Sequence, residues 1–345
     1  MRFQHVRIAS VAHLVPEEVV TSEELEHRLA PIYDRLHLSA GRIELMSGIR
    51  ERRFWPAGTR PSAVAARAGQ TALERAELGR ERIGILIHAS VCRDFLEPST
   101  ASVVHCALEL RPECSAFDLS NACLGFANAM TIVAGMIEAG TLEAGLVVAG
   151  EDGRPLVEET VRALVGNPAA GRAELKRAHA SLTIGSGAAA MVLARDTLAP
   201  HGARLVAATV RAATEHVGLC HGEREPGRDG PLMETESEAL MHAGNTLAAS
   251  TFEALLAETG WSRDDIERVV THQVGTAHRR LLLETLALDP ARDFPTVEHL
   301  GNIGSVSLPL SLSLARERGF VRPGQRVALL GIGSGLHCMM LGVRA

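Results

Sequence analysis

The chain has 345 residues, enough for two ordinary domains or for one large core built from two similar halves. Its composition, 46% hydrophobic and 22% charged, is globular, and a net charge of −6 leaves no basic footprint for nucleic acid or an anionic membrane. Aromatic residues are only 3%, with a single tyrosine, which argues against a base-stacking platform.

The opening MRFQHVRIASVAHLVPEE lacks the continuous apolar stretch of a signal peptide, and no apolar run approaches the ~18 residues of a membrane span. Six cysteines are scattered (Cys92, Cys106, Cys114, Cys123, Cys220 and Cys338) and none form a CxxC pair. Neither a zinc site nor a thioredoxin-type site is expected from them, and no metal is. The default is a cytoplasmic protein with reduced thiols.

In chain order, a helical pattern over Ala63–Glu77 precedes the strand-like run Ile83–Ala89. A strand end at Phe117–Leu119 leads into a helix over Leu124–Glu138. Strands follow at Ala144–Ala149, Ala188–Leu193 and Leu205–Val210. Then come a helix over Ser237–Glu258, a strand at Val269–His272, helices over His278–Leu286 and Val306–Glu317, and a strand at Arg326–Leu330, with His337–Leu341 strand-like beyond it. Strands alternating with helices predict an α/β fold with mostly parallel pairing.

The second half repeats the first. RERIGILIHAS (Arg80–Ser90) and RDDIERVVTHQ (Arg263–Gln273) share the order Arg, Ile, apolar strand, so that Ala89 falls in register with His272. Cys123 lies as far before Gly140 as Asn302 lies before Gly319, and a strand ending on glycine follows in each case. Periodic self-similarity is a stronger fold signal than any short motif. The expected division is 1–200 and 201–345, with an insertion at about 151–180 that interrupts the repeat and suits a cap. His221–Gly230 is expected to be a mobile loop at its mouth.

Chemistry concentrates at the strand ends, where ligands of open α/β sheets bind. Cys123, in FDLSNACLGF, sits at a strand-to-helix turn; the helix start should favour thiolate, although the position also suits a buried core cysteine. His272 ends an apolar strand before Thr271–Gly275 breaks it, with His278, His299 and His337 as rivals. Asn302 lies in HLGNIGSVS between Gly301 and Gly304, where the chain can approach a ligand closely or where Asn simply serves a turn. The run GIGSGLHC is a second glycine-rich turn without a dinucleotide fingerprint. Ser334 and Gly335 there, with Cys123, offer backbone amides to an oxyanion, or form an ordinary β-turn. Glu97, in VCRDFLEPSTAS, precedes a helix start, with Asp94 as competitor. Arg50, Arg52, Arg53 and Arg211 are candidates for phosphate contacts, against the bland reading of solvated arginines.

Taken together, the N-terminal segment Val15–Leu29, GIRERR, the NAC elbow, IGSGAAAMVL, the His strand, the GN turn and the GSGL turn resemble the ketoacyl synthase III branch of the thiolase superfamily, over essentially the whole chain. Within it, SVCRDFLEPSTAS, SNACLGF, THQV, HLGNIGSVSLP and ALLGIGSGL resemble the long-chain acyl-CoA condensing enzymes of olefin biosynthesis. The resemblance implies a thiolase fold, with duplicated βα halves in a five-layered α-β-α-β-α core, and a homodimer. It implies Cys123, His272 and Asn302 as the catalytic trio and Glu97 as a base delivered across the dimer interface. Long-chain acyl-CoA is the implied substrate and brings coenzyme A with it; no other cofactor is implied. The implied reaction is Claisen condensation without decarboxylation, feeding a downstream hydrolase or dehydrogenase. The rival expectation is decarboxylative condensation of acyl-CoA with malonyl-ACP.

Overall fold

The computed structural model describes residues 1–224 and 226–345. Among the described residues, thirteen strands run in chain order as β1 (Val6–Leu14), β2 (Glu18–Thr21), β3 (Glu51–Phe54), β4 (Ile83–His88), β5 (Ser115–Asp118), β6 (Ala144–Glu151), β7 (Gly187–Arg195), β8 (Ala203–Ala212), β9 (Cys220–Glu223), β10 (Leu232–Thr235), β11 (Arg268–Thr271), β12 (Arg326–Gly333) and β13 (His337–Arg344). Nine of them form one sheet in the order β11-β12-β13-β8-β1-β7-β6-β4-β5. Every residue of β6, and all of β7 but its last, is buried. Strands covered on both faces read as continuous apolar runs rather than alternating ones, which is why these two were legible as strands.

The duplication is visible in the hydrogen bonds. Beyond β4, Ala89 N–H donates to Val148 O at 2.8 Å; beyond β11, His272 N–H donates to Leu330 O at 2.8 Å. β4 runs parallel to β6, and β11 parallel to β12. The helices Gly125–Glu138 and Ser307–Glu317 end alike, on Gly140 (φ 75°) and Gly319 (φ 67°). In both, the N–H after the glycine reaches back five residues, Thr141 to Met136 O and Phe320 to Ala315 O. That is a Schellman cap, and only glycine takes its left-handed position without steric cost. The two sets of strands meet where β1 lies beside β8.

The expected insertion contains the helices Arg154–Gly166 and Arg172–Ala178. Its apolar face does not join the sheet cores. Val157, Val161, Leu164 and Leu182 pack with Leu25, Leu29, Ile32 and Ile43 of the N-terminal helices in a cluster of their own. The expected mouth loop begins within β9. β9 and β10 pair as a hairpin, and Arg228 and Asp229 beyond β9 form ion pairs with Glu159 (3.1 Å) and Arg162 (2.6 Å) on the first insertion helix. Glu225 of that loop lies outside the described residues. Among the described residues, no helix is long and apolar enough to cross a membrane.

Candidate active site

The site gathers where β4, β6, β11 and β12 end. Cys123 sits on an elbow: Asn121 and Cys123 form an isolated bridge around Ala122, which takes a left-handed φ of 44°. A non-glycine residue there is strained, and a small side chain keeps the cost low. The elbow is held by Leu124 N–H donating to Asn121 O (2.9 Å) and by Asn121 Nδ2 donating to Asn128 Oδ1 (2.8 Å) in the first turn of the following helix.

Close packing ties this elbow to the other predicted residues. A Cβ on Gly331 or Gly333 would lie 2.6 and 3.0 Å from the Leu124 side chain, so the end of β12 is pressed against the residue after Cys123. His272 is hydrogen-bonded to Leu330, the residue before Gly331. On another side, a Cβ on Gly125 would meet Ala89 O at 3.4 Å, and Ser305 Oγ donates to that same oxygen at 2.7 Å. Ser305 is three residues beyond Asn302. Elements remote along the chain thus share one floor.

His272 is 2% exposed, and neither ring nitrogen has a hydrogen-bond partner. Burial, with a smaller push from His278, lowers it to about 3. It is a neutral imidazole at physiological pH, able to donate a hydrogen bond from one nitrogen without bringing charge. Asn302 is docked by its backbone: its N–H donates to Thr183 O, and its C=O accepts from Gly185 N–H, both at 2.9 Å. Its Oδ1 accepts from Gly304 N–H at 3.0 Å, so the amide N–H groups are what it offers an oxyanion. Ser334 and Gly335 form the tight connection between β12 and β13.

The thiol does not behave as the helix start suggested. Cys123 precedes the first helical residue, Gly125, by two positions. Burial first, and then the charge of Glu151 and the neighbouring Cys220, push it up to about 12. Cys123 therefore rests as a thiol. Neither Glu151 nor Cys220 carries a local sequence signal; both reach the site through tertiary structure alone.

Glu97 lies on the exposed loop between β4 and the helix Thr100–Ala107 and makes no hydrogen bond or ion pair among the described residues. Its competitor Asp94 is occupied, accepting from Ser62 N–H (2.9 Å) and Ser62 Oγ (2.5 Å) at a helix start. Leu96 beside Glu97 is 95% exposed, Val91 and Phe95 are exposed as well, and β5 is a free edge of the sheet.

The arginine candidates separate. Arg52 is fully buried and donates to Ser22 Oγ, Val20 O and Leu182 O, which corrects its assignment to phosphate. Arg53 pairs with Glu51 at 3.0 Å and Arg50 with Glu44 at 3.4 Å, while Arg211 is exposed on β8. Gly301 and Gly304 give up their side chains to internal packing: a Cβ would meet Thr183 O at 2.6 Å and Glu151 Oε1 at 3.1 Å.

The buried imidazoles set an acid limit. In the unfolded chain His272 takes up a proton below its ordinary value near 6.5, whereas the folded chain refuses one until about 3. Unfolding therefore binds a proton in that window, and stability falls as pH drops through it. His272 alone should cost about 3 kcal/mol at pH 4 relative to pH 7. His278, lowered to about 4 by burial, acts with the same sign. Urea denaturation at pH 7 and pH 4 checks this, and His272→Gln should shrink the difference while His278 keeps part of it.

Known proteins resemble this chain in sequence and fold. Residues 117–213 match the family described as 3-oxoacyl-[acyl-carrier-protein (ACP)] synthase III, and residues 256–344 match the C-terminal part of that family. The chain is 40% identical, over 99% of its length and 98% of the relative's, to an acyl-CoA:acyl-CoA alkyltransferase of Xanthomonas campestris pv. campestris. It is 37% identical over all of both chains to an enzyme of the same name from Shewanella oneidensis. A beta-ketoacyl-[acyl-carrier-protein] synthase III of Rhodospirillum rubrum is 29% identical over 95% of each chain. A crystal structure of a cysteine-to-alanine variant of Xanthomonas campestris OleA superposes with a TM-score of 0.95 at 39% identity, covering 100% of this chain and 98% of that one. Solved forms of that enzyme include one bound to cerulenin and variants replacing a cysteine, a glutamate or a histidine. The chain belongs to the 3-oxoacyl-[acyl-carrier-protein] synthase III family of thiolase-fold transferases, among the acyl-CoA:acyl-CoA alkyltransferases of the OleA kind.

Proposed function

We propose that this chain joins two long-chain acyl-CoAs by non-decarboxylative Claisen condensation, through an acyl-enzyme on Cys123, as a cytoplasmic homodimer. The observation that carries the reading is the 40% identity, over 99% of the chain, to an acyl-CoA:acyl-CoA alkyltransferase. The halves 1–200 and 201–345 share the one cleft, roofed by the insertion at about 151–180.

Cys123 sulfur attacks the thioester carbonyl of the first acyl-CoA. Backbone amides of Cys123 and of the Ser334–Gly335 turn receive the oxyanion. Coenzyme A leaves as its thiol, carrying the proton that Cys123 gave up. The second acyl-CoA places its thioester oxygen against His272 and Asn302. Glu97 removes its α-proton, and the enolate oxygen takes hydrogen bonds from the neutral imidazole and the amide. The α-carbon attacks the acyl-enzyme and expels the Cys123 sulfur; the proton that Glu97 took then passes to that sulfur to restore the thiol, and a 2-alkyl-3-oxoacyl-CoA is left for a hydrolase or dehydrogenase. Exposed Arg50 and Arg211, with Arg53 nearer the chain, are the candidates for coenzyme A phosphates; Gly301 and Gly304 shape the turn beside the second thioester.

Glu97 is exposed and, among the described residues, unpaired, on a loop with apolar Leu96; β5 is a free edge of the sheet. A second copy docking on this face would cover Leu96 and carry Glu97 toward the partner's cleft. Decarboxylative condensation with malonyl-ACP is the second reading, favoured by the synthase III relative from Rhodospirillum rubrum. Purified protein given myristoyl-CoA alone should release coenzyme A and form the branched 3-oxo product. Turnover that appears only when malonyl-ACP is supplied would replace the first reading with the second.

A further inference from the structure

Glu151 ends β6 and is 4% exposed. A buried carboxylate is costly unless it is paired or richly hydrogen-bonded. Of the other buried acids, Glu159 has Arg162 and Arg228 and Asp293 has Arg279, whereas Glu26 is held by the N–H groups of Gly41 and Ile43, two donors from one turn. Glu151 forms no ion pair among the described residues. Instead, Oε1 accepts from Val91 N–H (3.0 Å), Ser305 Oγ (2.8 Å) and Ser305 N–H (3.3 Å), and Oε2 accepts from Cys92 N–H (3.1 Å). These donors come from two segments far apart in the chain. One runs on to Glu97, and the other carries Asn302.

We propose that Glu151 is a positioning residue of the condensation: its carboxylate locks the loop leading to Glu97 and the turn carrying Asn302 onto the strand end behind Cys123. The inference rests on the catalytic reading given above. With four donors already on its two oxygens, three of them on Oε1, the carboxylate is committed to holding backbone rather than to moving a substrate proton. Gly304 fits the same picture, since a side chain there would crowd Oε1. The lock has an electrostatic consequence. The ionisable groups facing Cys123 are Glu151 and Cys220; those facing Glu151 are Cys123 and Cys92, and Cys92 in turn faces Asp152. Burial is the main cause that keeps the sulfur protonated at rest, and the carboxylate of Glu151 adds to it. The acyl-enzyme, which is neutral, escapes that repulsion.

The test is Glu151→Gln in the full-length enzyme, read by the pH dependence of Cys123 alkylation with iodoacetamide. Peptide mass spectrometry separates Cys123 from Cys92. Loss of the charge should move the Cys123 profile about one pH unit lower, or about tenfold faster at a fixed pH below the midpoint. The kcat of condensation should fall about 10²-fold through lost register. Glu151→Asp, which keeps the charge on a shorter arm, should leave the alkylation profile in place while lowering kcat. Ser305→Ala, which cuts only the tie to the Asn302 turn, should do likewise, and it serves if the Gln variant does not fold. A profile unmoved in Glu151→Gln, or full kcat in Ser305→Ala and Glu151→Asp, overturns the proposal. Alkylation needs no substrate, so a wild-type enzyme inert toward every acyl-CoA would defeat the catalytic reading separately.

Discussion

Replacing Cys123 with alanine should abolish the covalent acyl adduct and slow coenzyme A release from myristoyl-CoA at least ~10³-fold. Intact-protein mass spectrometry would show one acyl group on the wild type and none on the variant. The fold should survive, because the elbow is held by backbone hydrogen bonds and by Asn121 on Asn128 rather than by sulfur. The raised thiol makes acyl-CoA a more telling reagent than an alkylating agent. With Cys123 pushed up to about 12, slow alkylation at neutral pH is expected of an active enzyme as well as of an inert one. A thioester instead takes the proton away with its leaving group. Coenzyme A release at the wild-type rate from the alanine variant would remove Cys123 from the mechanism.

Glu97→Gln should split the reaction in two. The first half needs no base of this kind, so one equivalent of coenzyme A should still be released and the acyl-enzyme should accumulate. Carbon–carbon bond formation should fall ~10²–10⁴-fold, the usual contribution of a positioned general base. The amide keeps the size and polarity of the side chain but cannot accept the α-proton. Because Glu97 is proposed to act in the partner's cleft, mixing this variant with Cys123→Ala gives a second readout. Heterodimers would contain one cleft with both an intact Cys123 and an intact Glu97, and should regain part of the activity. No recovery after verified subunit exchange would place the base elsewhere.

How legible this was from sequence differs by residue. The buried strands β6 and β7 announced themselves as apolar runs, and the caps at Gly140 and Gly319 are local backbone events that a glycine marks. The match of Ala89 with His272 was legible because both follow the same strand pattern. β1 was not read as a strand, although it lies at the middle of the sheet: VRIASVAHL mixes polar and apolar residues, and its burial alternates only in part. Arg52 looks like any arginine of a basic run until tertiary structure surrounds it. Glu151 is a more instructive case. It follows an apolar strand and sits before Asp152, where a solvated acid would be expected, and its partners lie 60 and 154 residues away. The expectation of a thiolate failed for a like reason, since a helix start is written locally whereas burial of the sulfur, and after it a neighbouring carboxylate, come from tertiary structure.

The apolar seam between the insertion helices and the N-terminal helices is separate from the seams that cover the large sheet. Exchanging side chains in that outer seam can reshape whatever volume it encloses while leaving the bond-making floor untouched. A lineage built this way can repack its outer layer without disturbing the large sheet that carries the Cys123 elbow.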